Sequence, residues 1–360
     1  MADNETAIFN DYKQHFEDYD QLDSIIADKL NRMIKENNFF IMEVNHRVKS
    51  FSSLRQKLAK KKGKYSSRYD ITDLCGVRII CYFSDTVDEI AAILPRLFDI
   101  DILNSIDKRV NLQANEFGYM SLHFICSLKD TGEYDPELCK LRFEIQIRTV
   151  LQHAWAEIEH DLGYKNEFGV PRSIRREFSR VASLLEVADM QFVGLRESTD
   201  RYIGEVREKI ANGQADDLPL DQITLKEYLN INKRYLQVVA EASRSLNIDI
   251  IPADVSSYLN QLDFLGVKTV GDLVQMFRRN QELTIALVGQ KIRTFELDII
   301  STGMILRYLC RAELISAHYS DEQIQRFTLL ALDGERAKKS ADRIIAASRE
   351  YWGVVADSQA

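Results

Sequence analysis

The sequence predicts an α+β protein followed by a mostly helical second domain, and three observations carry that prediction. From Leu141 to Thr149 apolar and polar residues alternate strictly, which is the period of a β-strand. Leu22, Ile25, Ile26, Leu30, Met33 and Ile34 recur three and four apart, as on a helix with one buried side. From Leu225 to Tyr351 the pattern is again mostly helical. A chain of 360 residues has ample core for two such domains.

In chain order, a helical pattern runs from about Asp11 to Phe40 and reads as scaffold. A basic stretch follows, Arg47 to Lys57, with Asn45 or Ser50 able to begin a helix. Lys49, Ser53 and Lys57 are four apart and share a helical face, a row of cation, hydroxyl and cation that can line a triphosphate. A solvated basic helix end has the same composition. Lys60 to Lys64 reads as a solvated run or a loop that closes over phosphate.

Cys75 to Phe83 is an apolar, β-branched run that reads as a buried strand, with Asp73 just ahead of it. A carboxylate at the mouth of a strand can offer hard oxygen to magnesium, or it can cap the preceding segment, as can Asp70. Gly76 is expected to let the backbone approach a neighbour closely. Ser84 opens a helix with Val87, Ile90, Ala91, Leu94 and Leu97 on its core side. After Gly118, a strand puts Tyr119, Ser121 and His123 on one face and Met120, Leu122, Phe124 and Cys126 on the other. A tyrosine there can stack on a base.

In the alternating strand Leu141, Phe143, Ile145 and Ile147 face one way, and Arg142, Glu144, Gln146 and Arg148 the other. Cation, anion, amide and cation in line suit a polyanion held through a metal, although an ordinary amphipathic strand looks similar. The next helix buries Leu151, Trp155, Ile158 and Leu162. Its His153, Glu157, His160 and Asp161 lack zinc-protease spacing and read as structural.

Composition excludes several classes. A net charge of −8 argues against a protein that coats nucleic acid non-specifically. Five cysteines without a Cys-x-x-Cys pair suggest neither a zinc knuckle nor a disulfide framework. The N-terminus is polar and acidic, and no apolar run approaches membrane-spanning length. A reduced, cytoplasmic protein without membrane partners is expected.

Four stretches together resemble the synthetase domain of RelA/SpoT-type alarmone enzymes: Arg-x-Lys-x-x-x-Ser-x-x-x-Lys at 47–57, Asp-Ile-x-Asp-Leu-x-Gly-x-Arg at 70–78, Gly-Tyr-x-Ser-Leu-His at 118–123 and Glu-Ile-Gln-Ile-Arg-Thr at 144–149. The run from Gln152 to Lys165 fits as well, and the resemblance covers roughly 20–200. It implies a nucleotidyltransferase-like mixed sheet flanked by helices. It also implies transfer of the β,γ-pyrophosphate of ATP to a ribose 3′-hydroxyl of GDP or GTP, releasing AMP. By the same resemblance, Asp73 holds Mg²⁺ and Glu144 takes the proton of the attacking hydroxyl or shares the metal. Arg47, Lys49, Ser53, Lys57 and Arg78 grip ATP. Tyr119, His123, Gln146 and Arg148 receive the acceptor.

Asn115 and Met120 stand where alarmone synthetases usually carry cations that hold acceptor phosphates, with Lys108 and Arg109 upstream as substitutes. The acceptor therefore stays open between GDP/GTP and the 3′ end of tRNA, the substrate of toxin-type relatives. A third reading is an inactive member that binds only nucleotide or a partner. No hydrolase half is expected ahead of Arg47.

Residues 172–211 read as amphipathic helix with Ile174, Phe178, Val181, Leu184, Leu185, Val187 and Phe192 apolar. The expected organisation is a helical segment at 1–40, the catalytic domain at 41–211, a linker at 212–224 and a helical domain at 225–360. Leu262 to Leu273 reads as a helix, a glycine stop and a second helix capped by Thr269. That is a plain helix junction or a hairpin that touches a nucleic-acid backbone. A regulatory or partner-binding role for the C-terminal domain, and homo-oligomerisation, are open at this level.

Overall fold

The computed structural model describes residues 2–107, 121–163, 171–231, 249–251 and 253–359. The chain divides into two compact units, Met1–Glu197 and Ser198–Ala360.

The first unit begins with α1 (Ala2–Gln14) and α2 (Phe16–Glu36). The single helix expected from Asp11 to Phe40 is thus interrupted at His15, whose backbone is non-helical. Tyr12, Tyr19, Leu22, Ile26, Leu30 and Met33 are buried. Next comes β1 (Ile41–Val48), a strand that the residues did not announce. Only Ile41, Val44 and Val48 are half-buried along it, so it has no period of two. It is an edge strand, and its pairing with a neighbour makes it one.

α3 (Phe51–Lys60) starts at Ser50, whose hydroxyl accepts from the Ser53 amide. This corrects the row expected from spacing. Arg47 lies on β1 and Lys49 ahead of the helix, so only Ser53 and Lys57 lie on α3. Lys60 ends α3, and Lys61 to Lys64 form an exposed turn. The Asp70 carboxylate accepts from the amides of Ser66 and Ser67, so it caps a short 3-10 turn.

β2 (Cys75–Cys81), α4 (Ser84–Leu97), β3 (Phe98–Ile100), β4 (Ile106–Asp107), β5 (Leu122–Leu128), α5 (Pro136–Cys139), β6 (Phe143–Thr149), α6 (Val150–Gly163) and α7 (Arg172–Ala211) follow. The sheet order is β1-β2-β6-β5-β3, with β4 also on β5. β2 and β6 are parallel and the other pairings antiparallel, which makes a mixed sheet.

Alternation assigns the two faces. Cys75, Val77, Ile79 and Cys81 join Phe143, Ile145 and Ile147 in one buried core with residues of α2 and α4. Each such aliphatic or aromatic side chain contributes about 1.5–3 kcal/mol on burial. A one-residue slip of β6 would exchange that core for charge, so the register is fixed. It sets Gly76 beside Glu144 and Arg78 beside Gln146 on the opposite, polar face.

Two helical readings need correction. Of the α6 residues expected inside, Trp155 is 8% exposed, but Ile158 and Leu162 are 55% and 63% exposed. On α7, Ile174, Val181, Leu184, Val187 and Phe192 are exposed as well. Asp189 of α7 is instead buried, and it accepts a 2.7 Å hydrogen bond from Thr149 Oγ1.

The second unit contains α8 (Gln222–Ile231), β7 (Asp249–Ile251), α9 (Leu259–Phe264), α10 (Val270–Phe295), β8 (Ile299–Ser301), α11 (Thr302–Ser316), α12 (Asp321–Leu329) and α13 (Gly334–Gln359). β7 and β8 form a small parallel pair. Leu262, Leu273, Leu306, Leu309, Ile324 and Ile344 belong to its core.

Residues 212–224, expected as a linker, contain packed structure of this unit. Ala215 and Leu218 are buried, and Leu220 N donates to Lys268 O at 2.8 Å. Val270 N donates to Leu218 O and Gly271 N to Asp216 O, each at 3.0 Å. A Cβ on Gly271 would lie 2.8 Å from that Asp216 oxygen, so only glycine permits the approach. Gly266 turns at φ +78°, and Thr269 and Asp272 form a capping box. The amides of 268–271 therefore already serve protein acceptors, as in a plain helix junction.

Among the described residues no helix is long and apolar enough to cross a membrane. All five cysteines are free thiols.

Candidate active site

The polar face of the sheet carries a cleft of about 320 Å³. Arg47, Asp73, Gly76, Arg78, Glu144 and Gln146 line it together with Asn45, His46 and Val77. Strand pairing assembles these residues from three segments. Arg47 of β1 pairs with Gly76 of β2, and Gly76 pairs with Glu144 of β6. Both expected acidic residues thus open onto one cavity, with Arg47 and Arg78 in its wall.

Asp73 lies two residues before β2. Lys57 Nζ donates to its Oδ1 at 2.5 Å, and Lys49 Nζ lies 3.2 Å from its Oδ2. The Lys49 amide is tied to Leu74 O at 2.7 Å, which anchors this part of the wall. Burial by itself pushes the Asp73 carboxyl up. The Lys57 hydrogen bond and the charges of Lys49 and Lys57 outweigh burial and hold it below the usual range.

Gly76 does not meet the expectation of a close backbone approach. A Cβ there would find its nearest neighbour, Glu144 O, at an ordinary 4.0 Å. Its missing side chain instead leaves the cleft floor open between Arg47 and Glu144.

Glu144 is held from two sides. His123 Nδ1 lies 2.6 Å from its Oε1, and Gln146 Nε2 donates to its Oε2 at 3.1 Å. His123 Nε2 lies 2.6 Å from Ser121 Oγ, and Arg148 donates to Gln146 Oε1. A hydrogen-bonded line therefore runs Ser121, His123, Glu144, Gln146, Arg148. Burial raises the Glu144 carboxyl, His123 and Gln146 lower it, and Asp73 pushes it up. The balance keeps it below the usual carboxylate range.

Of the expected acceptor residues, Gln146 lines the cleft. His123 contacts Glu144, and Arg148 is 3% exposed behind Gln146. Ser53 is exposed, bonded to Ser50, and not among the lining residues. Tyr119 lies outside the described residues, as do Lys108, Arg109, Asn115 and Met120.

Two contacts escaped the sequence reading. One is the pairing of His123 with Glu144. The other is Glu157 of α6, which accepts from Arg78 Nη1 at 2.9 Å and lies 3.6 Å from His153 Nδ1. Burial, then Arg148 and Arg78, holds the His153 imidazole below its ordinary value. Neither the His123–Glu144 nor the Arg78–Glu157 contact has a local signal, because each joins residues far apart in the chain.

The profile of the region found in RelA / SpoT proteins matches residues 46–168, wholly within the first unit. The GTP pyrophosphokinase YwaC of Bacillus subtilis (strain 168) is 31% identical over 196 residues, which is 52% of this chain and 89% of that protein. The GTP pyrophosphokinase YjbM of the same organism is 30% identical over 166 residues, 46% of this chain and 73% of that protein. The chain belongs to the RelA/SpoT family. It is an enzyme of that family's pyrophosphotransferase type. Among solved structures, small alarmone synthetase 2 from Bacillus subtilis is 30% identical, with a TM-score of 0.44. The match covers 52% of this chain and 99% of that one.

In this RelA/SpoT member the cleft supplies two ionised carboxylates and four nearby cations: Arg47, Arg78, Lys49 and Lys57. Among the described residues no group of three or more His, Cys, Asp or Glu side chains is placed to cage a metal. Two carboxylates suit a hard cation whose remaining ligands are phosphate oxygens and water.

Proposed function

We propose that this enzyme transfers the β,γ-pyrophosphate of ATP to the ribose 3′-hydroxyl of GDP or GTP, forming (p)ppGpp and AMP. The observation that carries this reading is the convergence of Asp73 and Glu144 on one cleft with a cationic wall. Pyrophosphoryl transfer is chiefly alignment and charge neutralisation, and this donor set provides both.

In the proposed mechanism Arg47, Lys49, Lys57 and Arg78 hold the ATP phosphates, and guanidinium planes can also lie against adenine. Asp73 and Glu144 would hold Mg²⁺, which would neutralise charge on the transferred group. Glu144 accepts the proton of the 3′-hydroxyl as that oxygen bonds to the β-phosphorus. The bond from the β-phosphorus to the α–β bridging oxygen breaks, and AMP leaves with that oxygen. His123 and Gln146 keep the Glu144 carboxylate aimed and ionised.

The sequence at Asn115 and Met120 favours a second acceptor, the 3′ end of tRNA, which has no 5′-diphosphate to grip. The test incubates full-length protein with γ-labelled ATP, Mg²⁺ and GDP, GTP or deacylated tRNA in turn. Label on GDP or GTP with one AMP per transfer is expected. Label on tRNA alone selects the second acceptor, and label on none with no AMP reduces the protein to a binder.

A further inference from the structure

Four ion pairs lie in the second unit among its described residues. Arg207 bonds Glu227, Arg279 bonds the buried Glu313, Arg349 meets Asp321 and Lys339 meets Glu335. Four further cations are set on three neighbouring helices of its core. Arg307 and Arg311 lie one turn apart on α11, Lys291 lies on α10 and Arg343 on α13. Among the described residues none of the four has a carboxylate partner within ion-pair distance.

Their neighbours are aromatic rings, a hydroxyl and one another. Arg311 lies 4.8 Å from the Tyr308 ring centroid and donates to Ser340 Oγ at 3.1 Å. Arg307 lies 6.0 Å from the Tyr258 ring, and Lys291 Nζ 3.2 Å from that of Phe295. The supporting helices are fixed by buried Leu306, Leu309, Cys310, Ile344 and Ile345. Burial, then the charges of Arg343, Arg311 and Arg307, draws the Lys291 ammonium below its ordinary value. Burial, with Arg307 and Arg343 also acting, does the same to Arg311. The Arg311–Ser340 bond ties α11 to α13 one turn from Arg343, and Arg307 lies one turn from Arg311, so like charges are gathered here in a chain whose overall charge is −8. Repulsion held in place by a packed core is relieved by an external anion.

We propose that Lys291, Arg307, Arg311 and Arg343 form a binding site for a compact polyphosphate of the kind carried by a nucleoside di- or triphosphate. Guanidinium forks match phosphate oxygens two at a time, and lysine adds a point charge. Convergence of three helices on the partly buried Arg311 suits a compact group. An extended nucleic-acid backbone is better tracked by cations spread along an exposed row. The site is formed by residues of the second unit and does not depend on which acceptor the cleft of the first unit uses.

The test uses full-length protein with inorganic tripolyphosphate and reads hydrogen exchange by mass spectrometry. Slowed exchange across 303–315 and 338–347 is expected at saturation. In the double variant Arg307→Gln/Arg343→Gln, half-protection of these segments should require roughly tenfold or more higher concentration. ATP-dependent AMP release should remain unchanged in that variant. Protection confined to the sheet cleft, or equal protection in the double variant, overturns the proposal. So does protection of α11 and α13 by deacylated tRNA where tripolyphosphate and ATP give none.

Discussion

Two groups of cations in this molecule are treated in opposite ways. In the first unit Lys49 and Lys57 converge on the Asp73 carboxylate. In the second, Arg307 and Arg311 lie one turn apart on α11, Arg311 is bonded to Ser340 one turn from Arg343 on α13, and neither they nor Lys291 meet a carboxylate among the described residues. A paired cluster keeps its side chains in position and its carboxylate ionised before substrate arrives. An unpaired cluster stores repulsion that only an outside anion removes. Asp189 shows the same rule with the sign reversed. It is a carboxylate 4% exposed, bonded to Thr149 Oγ1, with one oxygen buried and unpartnered. Burial therefore pushes it up to about 6.

The largest expected effect comes from breaking the paired cluster. Asp73→Asn should slow transfer by about 10³-fold or more, read as single-turnover AMP release, with an unchanged circular dichroism spectrum. Wild-type rates in a folded variant would remove Asp73 from the mechanism. Lys57→Gln should cost about 10²-fold and raise KM for ATP, because Lys57 would both hold Asp73 and meet phosphate. An effect on neither rate nor KM would make Lys57 only a structural partner.

Next in size is Asp189→Asn, which keeps the acceptor for Thr149 but removes the charge. A carboxyl raised in the fold adds stability that is full below its unfolded value near 3.8 and is lost as pH rises through about 6. The variant should therefore gain about 1–3 kcal/mol at pH 7.5 and lose that fall between pH 4 and 6. Urea titrations across this range check both, and parallel pH profiles for variant and wild type would contradict the buried charge. The smallest effect is on the unpaired cluster. Arg307→Gln with Arg343→Gln should raise Tm by about 2 °C without anion, by removing repulsion. A fall in Tm would mean that these cations have stabilising partners after all.

Much of the first unit was legible locally. The strict alternation of Phe143 to Thr149 and the apolar run of β2 both correspond to strands in the sheet. β1 was not legible, because an edge strand with three half-buried residues lacks the period-two signal. The stripes of α6 and α7 were read as helix, but the period does not say whether a stripe is covered. Ile158, Leu162 and Leu184 are exposed all the same.

The sequence by itself determined the candidate residues and, for β2 and β6, which face of the strand they occupy, because side-chain direction follows from the two-residue repeat. The tertiary structure alone decided which of them meet. The β2–β6 register set Gly76 beside Glu144, the β5–β6 register brought His123 to that carboxylate, and the approach of three helices gathered the second cationic cluster. The physical reason is that pairing and packing join residues distant along the chain, whereas local periodicity reports only on neighbours.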